Sequence, residues 1–132
     1  MSISIKRNMG FSLIELMVVV VILSIITAIA LPSYVDHVRR GNRTDAKSAL
    51  SNAAQQMQRC FTIDNSYANC SVPTESTEGF YSLSLNSSAS TYTITAKAAK
   101  SPQTGDAGCT TMTIDSFGRR TPDPDTDTNR CW

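Results

Sequence analysis

The chain has 132 residues, 17% of them charged, and a net charge of +1 at neutral pH. This length leaves room for one small domain and not for several. The near-neutral charge argues against a protein that binds nucleic acid through its overall charge. The sequence contains no G-x-S-x-G motif, Gly-rich phosphate loop or HExxH motif, so it indicates a protein that is not an enzyme.

The first 32 residues form a polar leader, residues 1–10, followed by an apolar stretch that ends at Pro32. Glu15 is the one acid in that stretch, which has no basic residue. A secretory signal peptide carries a small-residue cleavage site after its apolar core, and none is clear here. The candidate cut therefore lies after Gly10, ahead of the apolar core, and it leaves a free amino terminus on Phe11.

The apolar segment, residues 11–31, is long enough to cross a membrane as a helix. Its 21 residues span about 31 Å at the helical rise. The β-branched residues at 18–22 favour a strand in water, but a single span in lipid must satisfy its own backbone and is therefore helical. Pro32 lacks a backbone donor, so we expect a kink or a looser turn there.

Glu15 is the most unusual residue of this segment. A carboxylate inside a bilayer costs about 2.5–3.5 kcal/mol on insertion scales, so it usually has a partner. The nearest amine is the new amino terminus of Phe11, in the same chain or in a neighbouring subunit. An intersubunit pair would fix the register of an otherwise featureless helix. The alternative is an acid at the membrane surface, where the helix dipole favours it.

The helix is predicted to continue beyond Pro32, to a total of about 50 residues and about 75 Å. Apolar residues recur at helical spacing on one face: Val35, Val38, Ala46, Ala49, Leu50, Ala53, Met57, Cys60 and Phe61. The opposite face is predicted to be polar and solvated: Arg39, Arg40, Arg43, Asp45, Lys47 and Gln55. The apolar face requires a cover from the rest of the chain.

Three segments that follow alternate apolar and hydroxyl residues, which is typical of half-buried strands. Their apolar positions are Tyr81, Leu83 and Leu85, then Tyr92, Ile94 and Ala96, then Met112 and Ile114. A turn at 115–118 leads into a short strand that Pro122 ends. The predicted loops are 86–90 and 100–108, and 63–79 is predicted to be a connection. These elements predict a small antiparallel meander packed on the helix.

The run Lys6-Arg7-Asn8-Met9-Gly10 followed by Phe11-Ser12-Leu13-Ile14-Glu15-Leu16 resembles the class III leader of type IV prepilins and pseudopilins. The resemblance implies that a membrane-embedded prepilin peptidase cuts between Gly10 and Phe11 and methylates the amino terminus of Phe11. It also implies that Glu15 and Pro32 serve in fibre assembly. Removal of Lys6 and Arg7 with the leader changes the net charge from +1 to −1.

The second half of the chain has a narrower resemblance, to small PilE-like minor pilins, which include competence pilins. It rests on residues 58–61 and 105–109, Tyr67 with Cys70, Phe117 with Gly118, and the terminal Cys131 with Trp132. Many larger major pilins have a longer globular domain and a single cysteine pair. This difference favours a minor subunit over the bulk subunit of the fibre.

Four cysteines allow three disulfide pairings. An anchored and exported domain lies in an oxidising periplasm, where disulfides persist. The preferred pairing is Cys60 with Cys70, which pins the connection leaving the helix, and Cys109 with Cys131, which ties the carboxyl-terminal tail to the last strands. A zinc site is not favoured, because no CxxC pair occurs and the single histidine, His37, lies on the helix.

Two binding sites remain open as weaker alternatives. The acidic run 123–129 offers alternating oxygen ligands for calcium, but it lacks the glycine and glutamate of an EF-hand loop, so a solvated loop is favoured. DNA contact is possible but not favoured. It requires the meander to gather four basic residues, with aromatic residues for stacking: Lys97, Lys100, Arg119 and Arg120, with Phe80, Tyr92 and Trp132.

The expected fold is α+β, a type IV pilin fold with a long N-terminal helix on an antiparallel meander and a disulfide-closed carboxyl-terminal region. The expected division is a removed leader, 1–10, a transmembrane and fibre-core segment, 11–35, and a periplasmic globular domain, 36–132. No cofactor or metal is expected. The alternatives are a type II secretion pseudopilin and a DNA-binding competence pilin.

The expected function is that of a minor structural subunit of a type IV pilus. The expected partners are other pilin subunits, prepilin peptidase, the pilus assembly machinery of the inner membrane and that membrane itself. Before assembly the chain is expected to be a single-pass protein of the bacterial inner membrane with its carboxyl-terminal domain in the periplasm. After assembly it is expected in the extracellular pilus.

Overall fold

The computed structural model describes residues 10–128 and 130–132, so the predicted leader segment 1–9 lies outside the described residues. The chain forms two compact units that meet between Tyr34 and Val35. Its elements, in chain order, are α1 (Leu13–Asp64), β1 (Tyr81–Ser87), β2 (Tyr92–Ala98), a 3₁₀ helix (Gln103–Gly105), β3 (Thr111–Asp115) and β4 (Arg120–Thr121).

Helix α1 has 52 residues and runs through Pro32 without a break, close to the length predicted from the sequence. Beyond Tyr34, one of its faces is buried at spacings of three and four residues, at Arg43, Ala46, Leu50, Ala53 and Met57. Helical conformation stops at Asn65, whose φ of 51° is left-handed and whose backbone N–H donates to the Phe61 carbonyl at 2.8 Å.

The four strands form one antiparallel sheet in the order β1-β2-β3-β4, so each strand pairs with the next along the chain. The predicted meander is thereby confirmed. Alternate side chains of the sheet are buried with the helix residues in a single core cluster, and those from the three long strands are Tyr81, Leu83, Tyr92, Ile94, Ala96, Met112 and Ile114. The other set of alternate side chains faces away from the helix. The predicted α+β class is confirmed.

Arg43 corrects the predicted solvent face of the helix. The helical pattern put this arginine among the exposed charges, but only 8% of it is exposed. Its guanidinium makes a two-pronged ion pair with Asp106, with Nε at 2.7 Å from Oδ2 and Nη2 at 2.6 Å from Oδ1. A buried arginine is tolerated because both of its forked donors meet a carboxylate.

Two disulfides close the domain, and both are the pairs that the sequence predicts. Cys60 at the end of α1 bonds Cys70 in the connection, and Cys109 before β3 bonds Cys131 in the tail. Cys109 and Cys131 are fully buried in the core cluster. The second bond therefore holds the segment 110–130, which includes β3 and β4, against the core.

Candidate functional site

The apolar segment at the start of α1 is unburied over its whole length. Each large apolar side chain from Phe11 to Leu31 is exposed, and the exposed fraction runs from 48% at Val19 to 84% at Phe11. This segment is long and apolar enough to cross a membrane. Burial of apolar surface is the main force that favours association, so this helix requires lipid or other apolar helices around it.

The predicted cleavage junction lies just ahead of the helix. Gly10 and Phe11 precede the first helical residue, Leu13, and the Leu16 N–H donates to the Ser12 carbonyl at 3.2 Å. Apart from Gly10 and its chain neighbours, no atom of the described residues comes within 4 Å of the position that a Cβ on Gly10 would occupy. The described residues therefore do not block the access of an enzyme to this junction.

Glu15 lies in the first turn of α1, where its carboxylate is close to the helix amino terminus. The polar side chains farther along the segment differ from it. Ser24 donates to Val20 and Val21 carbonyls, and Thr27 donates to the Leu23 carbonyl at 2.7 Å. These hydroxyls are satisfied within their own helix, whereas a carboxylate accepts hydrogen bonds and has no donor to offer the backbone carbonyls.

Pro32 lies inside α1, where it removes one donor from the helical ladder and leaves the Ala28 carbonyl without its usual partner. The helix nevertheless continues on both sides of it. The kink expected there remains a prediction.

A second candidate surface lies on the other unit, beside the helix face that carries the arginines. A cleft of about 670 Å³ is lined by residues of α1, of the 3₁₀ segment and of the tail, and its basic residues are Arg39, Arg40, Arg43, Lys47 and Arg130. Arg43 is neutralised by Asp106, and Arg39 pairs with Asp36 at 3.4 Å. The hydrogen bonds and charge of Asp106 outweigh burial and raise the pKa of Arg43.

Arg40, Lys47 and Arg130 line the cleft and form no salt bridge within residues 10–128 and 130–132, and Arg120, which also forms none there, acts on Lys47 from nearby. We call these four residues the basic surface. Partial burial lowers the pKa of Lys47, and the like charges of Arg43 and Arg120 lower it further. Arg120 is thus close enough to Lys47 to act on it electrostatically, and the surface carries a local positive charge despite the neutral whole.

Aromatic rings accompany the arginines at the β3–β4 end of the sheet. The Arg120 guanidinium lies 5.0 Å from the ring centre of Trp132, and the Arg119 guanidinium lies 5.1 Å from that of Phe117. Trp132 is fixed by the neighbouring Cys131 disulfide and by a hydrogen bond from Nε1 to the Thr121 carbonyl at 3.1 Å. A ring held beside a guanidinium can stack on a nucleobase while the arginine contacts phosphate.

The four basic residues that the sequence suggests for DNA contact lie in two pairs at opposite ends of the sheet. Lys97 and Lys100 lie where β2 ends, with Lys97 paired to Thr111 at the start of β3. Arg119 and Arg120 lie at the opposite end of the sheet, and Arg119 is bound to Asp115 at 2.7 Å. Of the four, only Arg120 belongs to the basic surface.

Sequence reasoning missed Arg40, Lys47 and Arg130 as companions of Arg120. The first two belong to the helix face that the pattern predicts to be solvated, and Arg130 directly follows the acidic run 123–129. The spacing of Arg40, Arg43 and Lys47 along one helix face was a usable signal. No sequence signal indicates that the tail approaches that face, because this approach depends on contacts between residues far apart in the chain.

The acidic tail uses its carboxylates locally. Asp123 accepts from the Asp125 N–H at 3.0 Å, and Asp127 accepts from the Cys131 N–H at 2.5 Å. Asp127 also lies close to Cys109 and Cys131, but those two sulfurs are bonded to each other and cannot act as thiolate ligands.

Two family models match the chain. The model described as type IV minor pilin ComP, DNA uptake sequence receptor, matches residues 32–113, and the model of the prokaryotic N-terminal methylation motif matches residues 5–31. Together they cover the apolar segment, all of α1 and the sheet as far as the middle of β3.

Similar curated proteins are pilus subunits. The type IV narrow pilus major component PilA5 of Thermus thermophilus is 34% identical over 67% of this chain and 87% of its own length. The type IV major pilin PilA of Myxococcus xanthus is 36% identical over 48% of this chain, and a fimbrial protein of Pseudomonas aeruginosa is 50% identical over 35%. The matches span only 29% and 30% of those two proteins.

Two solved structures have a similar fold. A type IV pilin from Shewanella oneidensis matches 71% of this chain and 97% of its own, with a TM-score of 0.55 and 26% identity. The non-core minor pilin PilV of Neisseria meningitidis matches 65% of this chain and 87% of its own, with a TM-score of 0.54 and 19% identity.

Proposed function

Because this chain belongs to the type IV pilin family, whose members are structural proteins anchored in the membrane before they enter a pilus, we propose that it is a minor subunit of a type IV pilus. The observation that carries the proposal is the unburied apolar start of α1 with its lone acid, Glu15. The match to a minor-pilin family over residues 32–113 supports the minor role.

The proposed pathway has three steps. The chain spans the inner membrane once through residues 11–31, with its carboxyl-terminal domain in the periplasm. Prepilin peptidase cuts after Gly10 and methylates the amino terminus of Phe11, as the methylation motif over residues 5–31 supports. The assembly machinery then moves the helix from lipid into the fibre core, where other pilin helices replace the lipid around it.

In the fibre, the Glu15 carboxylate pairs with the amino terminus of a neighbouring subunit. An apolar helix can shift along its neighbours at little cost in free energy, because its apolar side chains make similar contacts in every register. A carboxylate buried without a partner costs several kcal/mol, so one register is favoured over the others.

Substitution of Glu15 tests this step. We expect Glu15→Ala to leave cleavage after Gly10 unchanged and to reduce the amount of this chain in sheared fibres at least tenfold, because register and not processing needs the acid. Thr27→Ala is the matched control, since it removes a polar group of the same segment whose hydrogen bond lies within its own helix. If Glu15→Ala enters fibres in the same amount as Thr27→Ala, the proposed role of Glu15 in register is wrong.

DNA contact is a second proposed role, favoured by the match to a DNA uptake sequence receptor family and by the basic surface with its stacked Trp132. Arg40, Lys47, Arg120 and Arg130 supply cations without carboxylate partners within the described part of the chain. Contacts from these residues to successive phosphates release counterions, so the affinity falls with salt.

The salt dependence of DNA binding by the full chain in detergent micelles tests this role. We expect Lys47→Gln with Arg120→Gln to weaken binding and to reduce the slope of log affinity against log salt by about 0.9 for each lost contact. Lys97→Gln with Lys100→Gln is the control, because it removes the same charge at the other end of the sheet. Equal slopes for the two double variants contradict the assignment.

A further inference from the structure

The two disulfides differ in how far solvent reaches them. Cys109 and Cys131 are 0% exposed and lie in the core cluster. Cys70 is 8% exposed, and Cys60 is only partly buried against the core. A thiol exchanges with a disulfide only when it reaches one of the two bonded sulfurs. Cys60, the most exposed of the four cysteines, is therefore the point at which a thiol can attack the folded chain.

The bond between Cys60 and Cys70 lies at the surface, where α1 ends and the connection to β1 begins. Most of the residues between the two cysteines are exposed: Thr62, Ile63, Asp64, Asn65, Ala68 and Asn69. A reagent that approaches Cys60 from this side thus meets loop residues and the end of a helix, whereas the bond between Cys109 and Cys131 lies inside the core.

The connection between these cysteines is also held by contacts that do not need the disulfide. Tyr67 is 6% exposed, and its ring stacks on Phe61 at 4.5 Å and meets Tyr92 edge-on at 4.9 Å between ring centres. Its backbone N–H donates to the Ala89 carbonyl at 3.1 Å. The connection therefore stays packed on the core when the Cys60 bond opens.

Cys60 lies beside a carboxylate. Asp64 Oδ2 is 3.6 Å from Cys60 Sγ, and the last turn of α1 contains no basic residue. Arg59 lines a groove with Asp115 and Ser116. The carboxyl end of a helix also carries partial negative charge. The attacking form of a thiol is the thiolate, so Asp64 and the helix end repel it and slow the exchange.

We propose that the bond between Cys60 and Cys70 is a thiol–disulfide exchange site of the folded protein. The reagent that it takes is a dithiol, either a small molecule or an oxidoreductase with paired cysteines, and the bond between Cys109 and Cys131 is closed to that reagent. The inference goes beyond the pilus and DNA roles and depends on neither, because it uses only the exposure of the cysteines and the contacts around them.

The exchange proceeds in two displacements. A thiolate of the reagent attacks Cys60 Sγ and breaks the bond to Cys70, which leaves as a thiolate and takes up a proton. The second thiolate of the reagent then attacks the mixed disulfide and releases Cys60, which is protonated in turn. The reagent ends as a disulfide, and one electron pair and two protons have passed to the cysteine pair. The reverse sequence closes the bond in a folded chain, with a disulfide reagent as the oxidant.

Treatment of the full chain in detergent with dithiothreitol tests the proposal. The free thiols are alkylated at intervals, and peptide mass spectrometry assigns each cysteine. We expect Cys60 and Cys70 to be alkylated at least tenfold faster than Cys109 and Cys131, with the aromatic near-ultraviolet circular dichroism unchanged. In urea, which unfolds the chain, we expect all four to be alkylated.

Three results overturn the exchange site. They are reduction of both disulfides at the same rate in the folded chain, reduction of neither until urea is added, and loss of the aromatic signal together with the Cys60 bond. The last result assigns the reduction to unfolding and not to an exposed site.

Asp64→Asn tests the part assigned to the carboxylate. We expect it to speed reduction of the Cys60 bond about threefold at an ionic strength of about 0.1 M, and the effect to shrink as salt is added. Glu78→Gln is the matched control, because it removes the same charge beside Asp45, about 22 Å from Cys60 along α1. Equal rates for the two variants would show that Asp64 does not repel the reagent.

Discussion

At the scale of single residues, the pair of Arg43 and Asp106 joins parts of the chain that are 63 residues apart. The same guanidinium also donates to the Arg130 carbonyl at 3.4 Å, so the helix, the 3₁₀ segment and the tail meet at one side chain. Gln103 extends this network, with Nε2 donating to the Tyr81 hydroxyl at 2.7 Å. The pair therefore positions the basic surface next to it.

Replacing one partner of this pair is expected to lower the free energy of unfolding much more than replacing both partners. Asp106→Leu leaves the Arg43 charge buried without its partner and should lower the free energy of unfolding by about 3 kcal/mol or more. Arg43→Met with Asp106→Leu removes both charges and should cost less than either single change. Chemical denaturation of the full chain in detergent measures the cycle, and additive losses in the double variant would contradict a coupled pair.

Arg43 also marks the limit of what the sequence predicts at this scale. The helical period correctly identified Ala46, Leu50, Ala53 and Met57 as the buried face. Arg43 lies on that same face, three residues before Ala46, but its charge indicated solvent. Only the long-range partner Asp106 makes burial favourable, and no local pattern connects the two residues.

At the scale of elements, local patterns were more informative. Alternation of apolar and hydroxyl residues located β1, β2 and β3, and Pro122 correctly ended the short β4. The sequence predicts only a loop at 100–108, where the structure has the 3₁₀ helix Gln103–Gly105, because three residues give no periodicity to detect. Whether the sheet brings Lys97 and Lys100 close to Arg119 and Arg120 depends on the strand register, which the sequence does not predict.

The two disulfides are expected to stabilise these elements unequally. They close loops with sequence separations of 10 and 22 residues. In the chain-entropy model, the loss is about 2.7 kcal/mol for Cys60→Ser with Cys70→Ser and about 3.4 kcal/mol for Cys109→Ser with Cys131→Ser. Urea unfolding of both double variants measures the difference. A larger loss for the first pair would contradict a loop-entropy origin of the stabilisation.

At the scale of the whole molecule, the two units differ in how they satisfy their apolar residues. The unit from Val35 onward buries its apolar side chains in one core shared by helix and sheet. The unit that ends at Tyr34 leaves its apolar side chains exposed along the helix. The unit from Val35 onward covers its own apolar side chains. The unit that ends at Tyr34 requires lipid around it before assembly and neighbouring pilin helices afterwards.

The mass and amount of this chain in sheared surface fibres test the central claim most directly. The account predicts a chain that begins at Phe11, carries a methyl group on its amino terminus, and forms a small fraction of the fibre protein. Processed chain found only in the membrane fraction would contradict it in favour of a type II secretion pseudopilin, and dominance of the fibre by this chain would contradict the minor role.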